Sequence, residues 1–64
     1  MKITKDMTIG NVVRMYPESV DVLFVFGMGC VGCPSAQAET LEEACMVHGL
    51  KLDDLMTALN EKVQ

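Results

Sequence analysis

The sequence predicts an all-α protein: a compact bundle of four main helices, with a short helical turn after a glycine-rich loop. Three observations support this class. Apolar residues recur at helical spacing, and helix start and stop signals bracket those segments. The run 22–26 could be a strand on propensity alone, but a proline before it, a glycine after it and its apolar spacing favour a helix. The 64 residues form one domain, 1–64, and a chain this short hides only ~60% of its unfolded surface.

The first half of the chain predicts two consecutive helices. Thr8 is a suitable N-cap for a first helix that runs to about Tyr16. Pro17 then ends that helix and suits the first turn of a second. The second helix is predicted over residues 18–26, with Gly27 as a left-handed cap at its end.

The second half repeats the arrangement. Thr40 and Glu43 have the spacing of a capping box, which predicts a third main helix that ends at Gly49. Asp53 or Asp54 is the expected start of a last helix, whose apolar positions recur on one side.

The two halves also align with each other. When the sequence is shifted so that Thr8 falls on Thr40, Leu23 falls on Leu55 and apolar positions coincide along both helices. We therefore predict two αα-hairpins in tandem, which bury their apolar faces against each other. The linker between them, residues 27–39, contains the sequence CVGC.

Charge and hydropathy exclude several classes of function. Five basic and nine acidic residues give a net charge of −4, and no Lys/Arg cluster could neutralise several phosphates, so nucleic acid is not an expected partner. The longest apolar run, 22–26, is far below the ~20 residues that span a bilayer, so no membrane association is expected. No signal-type segment is evident, and we expect a cytoplasmic location, where disulfides are usually transient.

Cys30 and Cys33 form a C-x-x-C pair among three nearby glycines, which predicts a tight loop with backbone close to sulfur. A disulfide between them would close a loop of four residues and add only ~2 kcal/mol of stability. Such a disulfide suits a reversible redox role better than a stabilising crosslink. Cys33 precedes Pro34, and as the N-cap of a helical turn its sulfur would face unpaired N–H groups that favour thiolate.

Two questions about this pair stay open. Exposure beside Gly29 slightly favours Cys30 as the attacking thiol, whereas the helix-dipole argument favours Cys33. A redox couple is the preferred interpretation of the pair, ahead of metal or cluster ligands and of inert loop thiols.

A metal site is the alternative interpretation. Cys45 and His48 share a helical face and, with Cys30 and Cys33, could supply a Cys3His tetrahedron for zinc, or ligands for an iron-sulfur cluster. The structural interpretation of each is preferred: Cys45 as a small buried hydrophobic residue and His48 as a partner of carbonyls near a helix C-terminus.

Several stretches taken together resemble a known family. MTIGNVV, YPE, FGMGCVGCP, ETLEEA, HG and the closing LN resemble the hybrid-cluster-protein-associated redox disulfide domains, over nearly the whole chain. The chain is also distantly similar to the N-terminal domain of iron-sulfur cluster repair proteins. The resemblance implies an all-helical domain in which Cys30 and Cys33 are redox active. Gly29 stands where a bulkier polar residue, often His, would be expected, which removes a neighbouring acid or base.

The predicted function is thiol-disulfide exchange or electron relay through Cys30 and Cys33 to a protein partner, with an iron-sulfur or hybrid cluster protein as a candidate. No cofactor is expected in this interpretation, and whether the domain turns over as an enzyme is left open. The alternative is a metal-binding or cluster-docking module, holding zinc or an iron-sulfur cluster without turnover. The thin core and six methionines are compatible with a homodimer.

Overall fold

The computed structural model describes residues 2–29 and 32–63 and confirms the all-α class. Five helices follow one another: α1 (Ile9–Met15), α2 (Ser19–Val25), α3 (Pro34–Gln37), α4 (Leu41–His48) and α5 (Leu52–Val63). Four of them are the predicted main helices, and α3 is the predicted short turn. None of the helices formed by these residues combines the length and apolar character that a bilayer crossing requires.

The first hairpin begins and ends where its capping signals are. The Thr8 hydroxyl accepts a hydrogen bond from the Asn11 N–H, and α1 ends before Pro17. The helix predicted over residues 18–26 is one residue shorter at each end, because its two terminal residues adopt cap positions rather than continuing the hydrogen-bond ladder. Gly27 takes the predicted left-handed conformation, with φ of 91°.

The second hairpin uses the same devices. Thr40 and Glu43 form the predicted capping box, with both reciprocal hydrogen bonds present at 2.9 and 3.1 Å. Gly49 ends α4 with φ of 68°. The last helix starts one residue before Asp53, so the two aspartates lie in its first turn, where carboxylates interact favourably with exposed N–H groups.

The hairpins are joined at their N-cap segments by a symmetric pair of hydrogen bonds. The Ile9 N–H donates to the Glu39 carbonyl at 2.9 Å, and the Leu41 N–H donates to the Met7 carbonyl at 3.0 Å. These bonds enclose an isolated antiparallel bridge between Thr8 and Thr40. Because the two bonds correspond to each other under the sequence shift, the two halves are arranged about a local pseudo-two-fold axis.

The core lies between the hairpins, where α2 and α5 form the most extensive helix-helix contact. Its buried members are Ile3, Ile9, Val12, Leu23, Met28, Leu41, Ala44, Cys45, Leu55, Met56, Leu59 and Val63. Ile3 lies outside every helix and is nevertheless fully buried. Its backbone is held by the side chain of Asn60, which accepts from the Ile3 N–H at 2.9 Å and donates to the Ile3 carbonyl at 3.0 Å.

Ser19, the first residue of α2, is fully buried, and its hydroxyl has no hydrogen-bond partner among residues 2–29 and 32–63. A buried polar atom without a partner costs free energy, so we expect Ser19→Ala to leave stability unchanged or raise it by up to about 1 kcal/mol. Urea unfolding measures the change. Ser35→Ala, on the exposed first turn of α3, controls for the better helix propensity of alanine. A loss of more than about 1 kcal/mol for Ser19→Ala alone would show that the hydroxyl has a partner.

Candidate redox site

The C-x-x-C loop is anchored on its N-terminal side by the end of α2. The Met28 N–H donates to the Leu23 carbonyl at 2.9 Å, and the Gly27 N–H donates to the Phe24 carbonyl at 3.0 Å. This pair of bonds is a Schellman motif, and it is completed by burial of both Met28 and Leu23 in the core. The chain therefore leaves the bundle at Gly29 in a fixed position.

The loop is anchored on its C-terminal side by α3. The Gln37 N–H donates to the Cys33 carbonyl at 2.9 Å, which makes Cys33 the N-cap of this single turn. Pro34 follows at the first helical position, as predicted. The turn packs against α1, so the segment after the cysteines is held on the first hairpin.

Cys33 presents a free thiol to solvent. It is exposed, its backbone is extended with φ of −79° and ψ of 133°, and its side chain caps no helical N–H. A thiol that is exposed and is not hydrogen-bonded to the first N–H groups of the helix is accessible to a sulfur atom of another molecule. Cys30 lies outside the described residues, so the pairing of the two sulfurs and the order of attack stay predictions.

Gly10 determines how closely α3 approaches α1. A Cβ atom on Gly10 would lie 3.1 Å from the Gln37 Cβ and 3.2 Å from the Gln37 carbonyl oxygen. The closest atoms therefore include backbone, which cannot rotate away. This glycine allows the turn that carries Cys33 to rest on the first hairpin, and the sequence pattern alone gave no sign of it.

We expect Gly10→Ala to destabilise the protein by about 1 kcal/mol, because ~1–3 kcal/mol of overpacking exceeds the gain in helix propensity. Gly32→Ala is a matched control, since a Cβ atom there meets nothing within 4 Å. Chemical denaturation of both variants measures the difference. Equal stability of the two variants would show that the contact between α1 and α3 does not constrain the turn.

Cys45 is a core residue, as its sequence position predicted. It is 3% exposed on α4, and burial raises the pKa of its thiol. The folded protein therefore keeps this thiol protonated to a higher pH than the unfolded chain does. The free energy of unfolding should accordingly fall as the pH rises past the ordinary thiol pKa.

His48 lies in the last turn of α4 and is exposed, at the end where a cation interacts favourably with the helix dipole. Within residues 2–29 and 32–63, no three His, Cys, Asp or Glu side chains lie close enough together to hold a metal ion. Cys33, Cys45 and His48 are therefore not assembled into a ligand set. The four-residue metal site also requires Cys30, which is not described, and it stays a prediction.

Phe24 is an exposed aromatic residue beside the loop. Its side chain is 66% exposed, and its ring edge lies 3.4 Å from where a Cβ atom of Gly29 would be. No local sequence motif marks Phe24 as part of the site. The available signal was the run 22–26, which contains more apolar side chains than one face of a helix can bury.

The fold and the site define a class: a small all-α domain in which a C-x-x-C loop connects two pseudo-symmetric hairpins. The chain belongs to the family described as a domain of unknown function, DUF1858, whose model matches residues 3–56. No curated protein matches it.

Two solved structures have the same fold. The solution structure of an uncharacterized protein from Methanocaldococcus jannaschii is 39% identical, with a TM-score of 0.88, and the match covers 97% of this chain and 85% of that one. The solution structure of a protein from Clostridium thermocellum is 48% identical, with a TM-score of 0.81, and the match covers 95% of this chain and 87% of that one.

Proposed function

We propose that this domain carries out thiol-disulfide exchange with a partner protein through Cys30 and Cys33. The observation that supports the proposal most is the free, exposed thiol of Cys33 at the start of a turn packed on α1, three residues after a second cysteine. The third thiol, Cys45, is buried and suits a structural role. A dithiol with one accessible member can attack a disulfide of a partner and then release that partner by forming its own disulfide.

The exchange takes place in two steps. The thiolate of one loop cysteine attacks a sulfur of the partner disulfide, which forms a mixed disulfide and releases the other partner sulfur as a thiolate. The second loop cysteine loses its proton and attacks the mixed disulfide. That step forms the Cys30–Cys33 disulfide, oxidises the domain by two electrons and leaves the partner with two thiols.

The identity of the partner is proposed from the sequence resemblance. The likeness to hybrid-cluster-associated redox domains favours an iron-sulfur or hybrid cluster protein, to which the dithiol would pass electrons. A dithiol gives up two electrons together when it reduces a disulfide of another protein. We therefore propose that thiol-disulfide exchange is the first step with any partner. A reducing compartment such as the cytoplasm would keep the pair reduced between reactions.

Single-cysteine variants test the proposal. In Cys30→Ser or Cys33→Ser, the second step cannot occur, so the variant that retains the attacking thiol should accumulate a mixed disulfide with a small disulfide such as oxidised glutathione. Cys45→Ala is the control and should cycle like the unmodified protein. The absence of an adduct in both serine variants of a folded protein would contradict the proposal.

Metal analysis of the unmodified protein and of Cys45→Ala tests the alternative, a metal site. Protein purified without chelator should contain no stoichiometric zinc or iron if the pair acts as a dithiol. Bound metal that is lost in Cys45→Ala would instead support a zinc or iron-sulfur cluster module without turnover.

A further inference from the structure

The helix that leads into the loop carries two large apolar side chains that are exposed. On α2, Phe24 is 66% exposed and Val25 is 83% exposed. Phe24 lies against Gly29, the residue directly before Cys30 in the sequence. Phe24 therefore lies beside the point where the loop begins, and Val25 follows it on the same helix.

A shallow groove continues this surface between α2 and α5. It has a volume of 260 Å³ and is lined by Asp21, Val22, Val25, Phe26, Ala58 and Lys62. Sites for separate small ligands are usually larger, at roughly 300–1,000 Å³. The dimensions suit one apolar side chain of a peptide better than a free small molecule.

The charged residues of α2 are complementary to a cation. Glu18 and Asp21 are exposed at its N-terminal end, and neither forms an ion pair with any described residue. Lys62, at the α5 side of the groove, offsets one of these two negative charges, so the three residues together keep a net charge of −1 (two carboxylates against one ammonium), and the whole chain carries a net charge of −4. A positively charged partner is attracted and oriented by such a surface.

We propose that the α2 surface made of Glu18, Asp21, Phe24 and Val25 is the docking site for the substrate of the loop. Its occupant is a peptide segment in which a disulfide-bonded cysteine is accompanied by a large apolar residue and, further along, by Lys or Arg. Asp21 and Phe24 are separated by about 4.5 Å along the helix axis. An extended peptide covers this distance in one to two residues, so its basic residue should follow its apolar residue at about that spacing. This inference rests on the proposed function and specifies the substrate class of the same site.

Peptides of defined sequence test the inference. The basic apolar probe is Lys-Leu-Cys-Leu-Lys as a mixed disulfide with thionitrobenzoate. Attack on the peptide sulfur breaks the S–S bond and releases coloured thionitrobenzoate, the better leaving group. Glu-Leu-Cys-Leu-Glu changes only the charge, Lys-Ser-Cys-Ser-Lys changes only the apolar residue, and the mercaptoethanol mixed disulfide contains neither.

The reduced protein should react about fivefold faster with the basic apolar peptide than with the acidic one at low salt, and the ratio should approach one at high salt. Asp21→Asn combined with Glu18→Gln should remove this preference. Phe24→Ala should slow the basic apolar peptide severalfold more than it slows the serine peptide or the mercaptoethanol disulfide. Met46→Ala, at a residue of α4 that is 75% exposed, is the matched control and should change no rate.

The outcomes distinguish the inference from the proposed function. If no probe reacts and no intramolecular disulfide forms, the proposed function fails. If the mercaptoethanol disulfide reacts but all peptides react at equal rates, or if Phe24→Ala slows every probe equally, only the docking inference is overturned. A concentration-dependent dimer in sedimentation that Phe24→Ala abolishes would assign the surface to a second copy of the chain and would also overturn it.

Discussion

Replacing Cys33 with serine is expected to abolish the redox cycle of the domain while leaving its fold intact. The side chain is exposed and makes no cap hydrogen bond, so the isosteric hydroxyl removes no contact that holds α3. Serine is also a preferred N-cap residue and can bond to the helix start. Thermal unfolding should therefore show equal or slightly higher stability, whereas reduction of a small disulfide should stop after at most one mixed disulfide per molecule.

Cys45→Ala provides the opposite pattern. Its thiol is buried in the core, so the substitution should lower the free energy of unfolding by about 1 kcal/mol through lost packing and leave the redox cycle unchanged. Turnover that survives in Cys33→Ser and disappears in Cys45→Ala would mean that the reactive pair has been assigned to the wrong thiols.

Replacing Asn60 with alanine is expected to have the largest effect on stability of any single polar substitution. The Asn60 amide forms three hydrogen bonds: it accepts from the Ile3 N–H and donates to the carbonyls of Ile3 and Met56. Their loss leaves backbone groups of a partly buried segment unpaired, at a cost of about 2–3 kcal/mol. A domain of this length has a total free energy of unfolding of roughly 3–10 kcal/mol, so the variant would be marginal.

Asn60→Asp retains an acceptor for the Ile3 N–H but turns a carboxylate oxygen toward the carbonyls of Ile3 and Met56, to which the amide donates. Because two acceptors repel each other, we expect it to be at least as destabilised as Asn60→Ala in chemical denaturation at neutral pH. Glu61→Ala, at the neighbouring exposed position, should change stability by less than about 0.5 kcal/mol. Equal stability of Asn60→Ala and Glu61→Ala would show that the N-terminal segment does not depend on this amide.

The fold could be predicted because its strongest signals are local. The Thr8 and Thr40 caps, with Gly27 and Gly49 as left-handed ends, specify helix boundaries within a few residues of sequence, and all four are present. The shift that aligns the two caps also predicted the pairing of the hairpins. Their hydrogen-bonded bridge shows that the internal similarity reflects the arrangement in space.

Contacts between residues distant in sequence could not be predicted in this way. Ile3 and Asn60 are far apart in the sequence and come together in the fold. No local pattern indicates that the side-chain amide of Asn60, on α5, hydrogen-bonds the backbone of Ile3. The same applies to Gly10, whose importance depends on Gln37 packing over it. Such contacts arise when the hairpins close, so the periodicity of either hairpin contains no information about them.

At the site, the sequence predicted the single turn after Cys33 and the burial of Cys45, because a proline start and an apolar helical face are both local features. It did not indicate the exposure of Phe24. Leu23 and Phe24 are adjacent apolar residues on α2, and only the position of α5 decides that the first is buried and the second faces solvent beside the loop.

The most direct test of the account is a count of reactive thiols by mass spectrometry after equilibration in glutathione buffers of graded potential. Alkylation under native conditions, followed by unfolding and a second label, reports each cysteine separately. We predict that oxidation removes two hydrogen atoms from the protein and protects Cys30 and Cys33 together in one transition, while Cys45 reacts only after unfolding. Independent oxidation of Cys30 and Cys33 to separate glutathione adducts, with no linked peptide at any potential, would contradict the account.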